Sequence, residues 1–443
     1  MTNNKLTLLL ALAVFGFSSC EDSLEILPAQ SISGEIAIST EANIQNILTG
    51  AYAENGEDDS YGGQLQLMAD LLGKGEYITW VGTFIQPRQV ANKNMLADNG
   101  FIGGYWNNAY AAINQANLVL DNLDIVTSST EERDRLEGEA RFLRALGYFD
   151  LNRHFSSGSM GVPLRTTGIS DYSVDLSTAR ASTTEVYDLV ISDLTTAVSK
   201  LPDANDFFAD KYAAQGLLAR VYLQLGRYGE ARDAANDVLA NSGHMLTSSF
   251  ADAFNNDMDS SEDIFAIQVT SQDGANDLIN HYADEQNGGR GGDIEVNDAY
   301  VAIFEADDER GSFFVESRQS GARLTAKYTN QFGNIPLIRV AEMHLIRAES
   351  NLREDTETGL SPLDEINALR GRSGASALDD VDLDDILLER DRELGFEGFF
   401  IHDIRRTGRN EGDFTFDADE LVFPIPQNEI DTNPSMEQNP GYN

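Results

Sequence analysis

Two apolar stripes with helical spacing, separated by a short turn, lie close to the middle of the chain. The first contains Leu218, Val221, Tyr222 and Leu225, and the second contains Tyr228, Ala231, Ala235, Val238 and Leu239. Spacings of three and four residues place each set on one face of a helix. The turn at Gly226-Arg227 and the small alanine side chains allow two antiparallel helices to approach closely. The unit covers about 34 residues from Lys211 and matches the tetratricopeptide pattern.

Similar stripes elsewhere predict that helical hairpins form most of the fold. They comprise Trp106, Tyr110, Ile113 and Leu118; Phe142, Leu143, Leu146 and Phe149; and Leu337, Val340, Ala341, His344, Leu345 and Ala348. Pro336, just before the last stripe, suits the first turn of a helix because an N–H there would have no partner. We therefore predict a mainly α, tetratricopeptide-type scaffold that includes about 105–155, 183–240 and 335–410. Few short strands are expected, one of them at Ile264–Val269.

Two regions between these helices are rich in glycine, asparagine and isolated aromatic residues. They cover about 60–104 and 244–335 and predict long irregular loops. No Pro-rich or Ser-rich linker separates independent halves of the chain. We therefore predict one integrated domain over residues 20–443, with the two loop-rich regions as its binding surface.

The amino terminus has the layout of a secretory signal peptide. Lys5 precedes an apolar run, Leu6 to Phe17, which is too short to span ~30 Å of hydrocarbon. Cys20, the single cysteine of the chain, follows two serines where cleavage is expected, an arrangement that resembles a bacterial lipobox. We expect residues 1–19 to be removed and Cys20 to be lipidated; the alternative is an ordinary signal peptide that ends near an unrelated cysteine. No later segment is apolar enough to cross a membrane, so the lipid would be the only anchor.

Charge and cysteine content exclude several classes of function. The chain has 31 Lys and Arg against 73 Asp and Glu, a formal net charge of −42. This charge repels nucleic acids, anionic membranes and polyanionic substrates. A single cysteine excludes an intrachain disulfide and zinc sites built from several cysteines. The five histidines lack metal-ligand spacing, so neither a metal nor another cofactor is expected.

The sequence also lacks the motifs of common catalytic sites. There is no HExxH motif and no GxSxG nucleophile elbow, and the glycine-rich segment 288–292 lacks the Lys-Ser/Thr of a phosphate-binding loop. Glu389, Asp391 and Glu393 alternate with arginines, which we interpret as the ion-paired surface of a helix. We therefore expect no catalytic residues and no enzymatic activity.

An ordered set of segments resembles the SusD/RagB family of outer-membrane nutrient-binding lipoproteins. The segments are EARFLRALGYFDLNRHF (139–155) with GVPL (161–164), TTEVYDLVISDLTTAVSKLP (183–202), AAQGLLARVYLQLGRYGEARDAANDVL (213–239), IPLIRVAEMHLIRAESNL (335–352), INALRGRSG (366–374), LLERDRELGFEGFFIHDIRRTGR (387–409) and FPIPQNEIDTNPSMEQNPGY (423–442). Phe399-Phe400-Ile401-His402 departs from the Arg-Trp or similar residues common in the family, and only an effect on packing is expected.

The resemblance implies a non-catalytic lipoprotein on the cell surface of the outer membrane. Such a protein captures glycans for a TonB-dependent transporter of the SusC type. The acidic charge favours a neutral glycan, with a β-glucan such as laminarin as the first expectation and a fructan as the second. A peptide-binding uptake lipoprotein and a tetratricopeptide adaptor that binds only proteins stay open as alternatives.

Aromatic residues in the first loop-rich region are candidates for sugar contacts. The C–H faces of sugars pack flat on aromatic side chains, whereas their hydroxyl groups form hydrogen bonds with a few polar side chains. Tyr77, Trp80 and Phe84 have spacings of three and four residues, so a short helix would align them as a platform. The alternative is that the same spacing packs the three aromatic side chains together in a small core. Gln86 and Arg88 follow as candidate donors to hydroxyl groups.

The second loop-rich region supplies one preferred aromatic candidate. Tyr282 stands between Asn280 and Asp284, whose side chains could bind sugar hydroxyl groups. The resemblance points to the same two regions, because family members often place sugar contacts there. Trp106, by contrast, lies on a helical stripe and is expected in the core.

Overall fold

The computed structural model describes residues 38–272 and 276–442, so the predicted signal peptide (1–19) and Cys20 lie outside the described residues. The α-helices of the described part are α1 (Glu41–Gly56), α2 (Gln64–Leu72), α3 (Ile85–Ala91), α4 (Gly100–Asp121), α5 (Thr130–Phe155), α6 (Thr183–Lys200), α7 (Lys211–Gln224), α8 (Tyr228–Asn241), α9 (Asp277–Tyr282), α10 (Asp298–Val301), α11 (Val340–Glu354), α12 (Pro362–Arg372), α13 (Leu383–Leu394), α14 (Phe400–Thr407) and α15 (Gln427–Thr432). The strands are β1 (Ile78–Trp80), β2 (Asp263–Ile267), β3 (Ile294–Val296), β4 (Phe314–Glu316), β5 (Arg323–Thr325) and β6 (Ile335–Arg339). The predicted mainly α class is confirmed. None of the described helices has both the length and the apolar character needed to cross a bilayer.

The predicted helical hairpin in the middle of the chain is confirmed. α7 ends at Gln224, Gly226 has a φ of 68°, and α8 begins at Tyr228. Glycine suits the turn because a Cβ is strained at positive φ. Ala231 and Ala235 of α8 are fully buried. Because α8 packs against both α7 and α11, and α5 against α6, the hairpins stack on one another and share a core.

Local sequence sets where several helices begin. Ser182 precedes α6, and its Oγ accepts a hydrogen bond from the Glu185 N–H at 3.2 Å. The Glu185 carboxylate in turn accepts one from the Ser182 N–H at 2.8 Å. This capping box satisfies N–H groups that no helical carbonyl can reach. Pro362 occupies the first turn of α12 after the cap Ser361, where a missing N–H costs nothing.

Pro336 lies in a strand, so the prediction that a helix starts at this residue is wrong. β6 pairs antiparallel with β2, with Pro336 opposite Ala266, and α11 begins only at Val340. A short apolar run fits a buried strand as well as a buried helix, and sequence spacing alone does not distinguish them. The partner strand β2 confirms the strand predicted at Ile264–Val269, with its ends shifted by one and two residues.

The acidic residues of α13 are buried, so the prediction that they form a helix surface is wrong, although their ion pairing is confirmed. These residues are Glu389, Asp391 and Glu393. The Glu393 carboxylate pairs with the guanidinium groups of Arg310, Arg339 and Arg372. Burial alone would raise the pKa of the Glu393 carboxyl, but the three guanidinium groups together hold it well below its usual value.

The two loop-rich regions meet in the fold. β1, from the first region, pairs antiparallel with β3, from the second, with Ile78 opposite Val296 and Trp80 opposite Ile294. α9 of the second region also packs against α2 of the first. Residues that are distant in sequence are therefore joined into one unit, which holds the loop between β1 and α3.

Asp70 of α2 makes the stability of the fold depend on pH. Burial raises the pKa of its carboxyl from 3.8 to about 7, although the carboxylate accepts hydrogen bonds from the Tyr282 hydroxyl (2.7 Å) and the Gly398 N–H (3.0 Å). A carboxyl whose pKa is higher in the folded state stabilises that state when it is protonated. Its contribution is therefore lost as the pH rises from about 4 to about 7.

We expect Asp70→Asn to lose less free energy of unfolding than the wild type between about pH 4.5 and about pH 8. Because one pKa unit corresponds to about 1.4 kcal/mol, the difference should amount to a few kcal/mol. Urea denaturation at several pH values measures it. Asp413→Asn, at an exposed loop position, is the control and should follow the wild type. An Asp70→Asn variant with the pH dependence of the wild type would contradict this assignment.

Candidate functional site

Large apolar side chains are exposed in the loop between β1 and α3 and at the first residue of α3. Val81 is 47% exposed, Phe84 37% and Ile85 62%. Single exposed apolar residues are common on proteins, whereas adjacent ones mark surfaces that bind ligands or partners. We call residues 81–85 the apolar loop and treat it as the candidate functional site.

Backbone hydrogen bonds and a close packing contact hold the apolar loop in one conformation. The N–H groups of Val81 and Gly82 donate to the Asp293 carbonyl at 2.8 and 3.3 Å. The Arg88 guanidinium donates to the Gly82 carbonyl at 2.7 Å. A Cβ at Gly82 would lie 2.5 Å from the Trp80 ring, so only glycine fits there. The loop is therefore preformed, which lowers the entropic cost of binding.

Phe84 is fixed by aromatic neighbours and carries a cation on its ring. Its centroid lies 6.2 Å from that of Phe101 and 6.0 Å from that of His281, a buried residue. The Arg290 guanidinium lies 3.8 Å from the Phe84 centroid. Arg290 belongs to the glycine-rich segment 288–292, and its N–H donates to the Asn280 carbonyl at 3.2 Å. A flat cationic group thus borders the apolar loop.

The short helix predicted to align Tyr77, Trp80 and Phe84 is wrong. Residues 78–80 form β1 because they pair with β3, and the chain then turns into the apolar loop. Trp80 is 9% exposed, its ring lies 5.7 Å from that of His281, and its Nε1 has no hydrogen-bond partner among the described residues. Trp80 therefore packs beneath the surface against Gly82 of the apolar loop, and Phe84 is the ring that is exposed to solvent.

Tyr77 points into the core. Its ring packs against Tyr300 at 5.2 Å and against Phe400 at 5.8 Å between centroids. Its hydroxyl donates to the Asp391 carboxylate at 3.4 Å. The structure therefore gives Tyr77 a packing role and leaves no ring face for a ligand.

Tyr282 lies in the core rather than on a surface. It is 1% exposed, its ring packs 5.2 Å from that of Tyr328, and its hydroxyl is held by Asp70. The polar residues around it stabilise local structure as well. The Asn280 amide donates to Asp277, and Asp284, which is buried, accepts hydrogen bonds from the backbone N–H and side chain of Asn287.

Two of the predicted polar residues do border the apolar loop. Gln86 is half-buried and Arg88 is exposed, although one guanidinium nitrogen of Arg88 is engaged by the Gly82 carbonyl. Sequence reasoning missed Val81, Ile85 and Arg290. The available signal was a cluster of apolar residues inside a segment without helical or strand periodicity.

Trp106 is buried in α4, which confirms the core position predicted for it. Its ring packs against Phe155 and Tyr110, each 4.9 Å away between centroids. In the described part of the chain, no three His, Cys, Asp or Glu side chains converge in the manner of a metal site. The chemistry that the apolar loop offers is therefore apolar contact, stacking and hydrogen bonding to arginine.

Two family models match this chain. One, described as "Starch-binding associating with outer membrane", matches residues 22–223, and the other, of the SusD family, matches residues 313–418. The chain belongs to the SusD/RagB family. The resemblance inferred from the ordered sequence segments is thus confirmed.

Individual members of the SusD/RagB family align with nearly the whole chain. SusD-like protein P2 of Formosa agariphila is 27% identical over 514 aligned positions, which cover 100% of both chains. A SusD superfamily protein of Bacteroides thetaiotaomicron has a TM-score of 0.81 at 26% identity, over 90% of this chain and 100% of that one. One from Bacteroides vulgatus has a TM-score of 0.80 at 24% identity, over 91% and 99%. These likenesses agree with the single helical scaffold described above.

The burial of the aromatic residues predicts how their substitutions affect stability. Tyr282→Ala should lower the free energy of unfolding by about 3–5 kcal/mol, because it leaves a cavity and removes the partner of Asp70. Ile85→Ala should change it by no more than about 0.5 kcal/mol, because the side chain is exposed. Urea denaturation of both variants measures the difference. Equal destabilisation would show that the apolar loop is packed rather than available to a ligand.

Proposed function

We propose that this protein captures a glycan at the cell surface, with the apolar loop and Arg290 as its binding surface. The observation that carries the proposal is the exposure of Val81, Phe84 and Ile85 on a preformed loop, beside an exposed guanidinium. The family description, which names starch binding, supports a carbohydrate as the ligand class.

The apolar loop and the arginines match the two kinds of surface on a sugar. The C–H face of a sugar ring packs on apolar side chains, and its hydroxyl groups accept hydrogen bonds from a guanidinium. Arg290 combines both properties, because its planar group lies on Phe84 and presents N–H donors at the rim. Arg88, which is exposed and bonded to the Gly82 carbonyl, supplies further donors at the apolar loop.

Charge favours a neutral glycan over an anionic one. The net charge of −42 repels polyanions at a distance, and two exposed arginines are too few to reverse that field. Within the neutral class, a β-glucan such as laminarin comes first and a fructan second. Binding requires no chemical step, so in this proposal the protein delivers the glycan intact.

The proposed location and partner follow from the family. We infer that Cys20 carries the lipid that holds the chain on the outer membrane, and that the captured glycan passes to a SusC-type TonB-dependent transporter. The description "associating with outer membrane" supports the location. The aliphatic side chains of Val81 and Ile85 favour a peptide as the second candidate ligand, because such side chains also suit apolar peptide residues.

We expect the mature chain to bind neutral glycans in calorimetry and in affinity gels, and to release no reducing ends from them. The panel contains laminarin, inulin, an anionic alginate and a mixture of apolar peptides. Phe84→Ala should weaken glycan binding about tenfold or more, since stacking contributes about 0.5–1.5 kcal/mol beyond the buried area and ~1.4 kcal/mol is tenfold. Arg290→Lys, which keeps the charge but loses the planar group, should weaken it as well.

Phe416→Ala is the matched control, because Phe416 is 41% exposed and lies outside the apolar loop. It should bind as the wild type does. Binding of peptides alone would replace the glycan proposal with the second candidate. Glycan binding that Phe84→Ala and Phe416→Ala affect equally would place the binding surface elsewhere.

A further inference from the structure

A second concave site lies along α4, away from the apolar loop. It is a cavity of about 300 Å³ between α4 and the segment 163–176, which connects α5 to α6. Its lining includes the rings of Trp106, Tyr110 and Tyr172. The volume falls at the lower end of the range of small-molecule sites, roughly 300–1,000 Å³.

Helix geometry separates this cavity from the apolar loop. Phe101, which contacts Phe84, and Tyr110, which lines the cavity, are nine residues apart on α4. At 3.6 residues per turn, that separation is about two and a half turns, so the two side chains leave opposite faces of the helix. A ligand in the cavity would therefore occupy a separate site.

Side chains of α4 fix the segment that covers the cavity. The Tyr110 hydroxyl donates to the Pro163 carbonyl at 2.8 Å. Asn114 accepts from the Ile169 N–H at 2.7 Å and donates to the Ile169 carbonyl at 3.1 Å. Asn117 donates to the Arg165 carbonyl at 2.9 Å. Because these bonds within the chain hold the segment against α4, binding would not have to order the cavity.

Tyr172 is the exposed ring at this cavity. It is 71% exposed, yet its hydroxyl accepts a hydrogen bond from the Asn114 amide at 3.3 Å. An aromatic ring that is held at its hydroxyl and open to solvent on the rest of its surface suits stacking on a sugar ring. The aliphatic side chains of Ile169 and Leu176 extend the apolar part of the lining.

One cation and one anion complete the lining. Among residues 38–272 and 276–442, neither the Arg165 guanidinium nor the Glu429 carboxylate has an ion-pair partner within 4.0 Å. The Arg165 guanidinium donates one hydrogen bond to the Leu176 carbonyl, and one oxygen of Glu429 accepts one from the Asn433 amide at 2.8 Å. A guanidinium only donates hydrogen bonds and a carboxylate only accepts them, whereas a hydroxyl group does both. Neighbouring hydroxyl groups of a sugar can therefore bond to the remaining donors of Arg165 and to the second carboxylate oxygen of Glu429, and the opposite charges favour a ligand without net charge.

We propose that this cavity is a second carbohydrate site that holds one or two sugar rings of a neutral glycan. Tyr172 stacks on one ring, Arg165 donates to its hydroxyl groups, and Glu429 accepts from them. The proposal rests on the cavity alone and does not require that the apolar loop bind glycan.

The two tryptophans of the chain allow the sites to be observed separately. In Trp80→Phe, Trp106 is the single tryptophan left, and it lines the cavity. We expect laminaritriose, cellotriose or 1-kestose, titrated to about 10 mM, to produce a saturable change in the emission of this variant. Adding Tyr172→Ala should weaken that response at least tenfold. Adding Val174→Ala, at an exposed position of the same segment outside the lining, should not.

The outcomes separate this proposal from the proposed function. A Trp106 response that survives Phe84→Ala and is lost with Tyr172→Ala supports the second site, whether or not the apolar loop binds glycan. If calorimetry detects binding that depends on Phe84 while Trp106 does not respond to any of the three sugars, the second site is overturned and the proposed function stands. A Trp106 response of unchanged affinity in the Tyr172→Ala background also overturns it. Thermal melting of each variant confirms that the comparisons are made on folded protein.

Discussion

A buried network of ion pairs around Glu393 connects the helical scaffold to the loop-rich part of the structure. Glu393 of α13 pairs with Arg310, in the second loop-rich region, and with Arg339 of β6. Lys327 extends the network by pairing with Glu397 at 2.6 Å. Removing one partner of such a pair typically costs about 3–5 kcal/mol, because the other charge stays buried and uncompensated. These ion pairs therefore hold the second loop-rich region in a fixed position on the scaffold. The apolar loop is held in turn because β1, which precedes it, pairs with β3 of that region.

The outer surface of the protein is acidic. Arg310, Arg339 and Arg370 are among the largest fully buried side chains, although the chain has few cations relative to its carboxylates. Carboxylates such as Glu389 and Glu393 are buried beside them. The acidic surface therefore follows from the composition, with its net charge of −42, and not from the burial of arginines. Arg88 and Arg290, which are exposed beside the apolar loop, are cations on this acidic surface. A surface of this kind suits a ligand that carries hydroxyl groups and no charge.

The sequence predicted the scaffold better than the site, and the reasons are physical. The hairpin at α7 and α8 could be predicted because helical periodicity and a turn glycine are local signals. The burial of Tyr282 and the exposure of Phe84 could not, because both depend on contacts between segments far apart in the chain, such as Asp70 with Tyr282 and Arg290 with Phe84. The burial of the α13 carboxylates could not be predicted for the same reason, since arginines of other elements pair with them.

Hydroxyl-radical footprinting of the full chain would show directly whether a glycan binds on the apolar loop. The radical modifies exposed aromatic and aliphatic side chains, so Phe84 and Ile85 should react in the free protein. Saturating laminarin or inulin should protect both residues, while the exposed ring of Phe416 should react as before. Protection of other residues, with Phe84 and Ile85 unchanged in a sample that binds the glycan, would show that the glycan does not bind on the apolar loop.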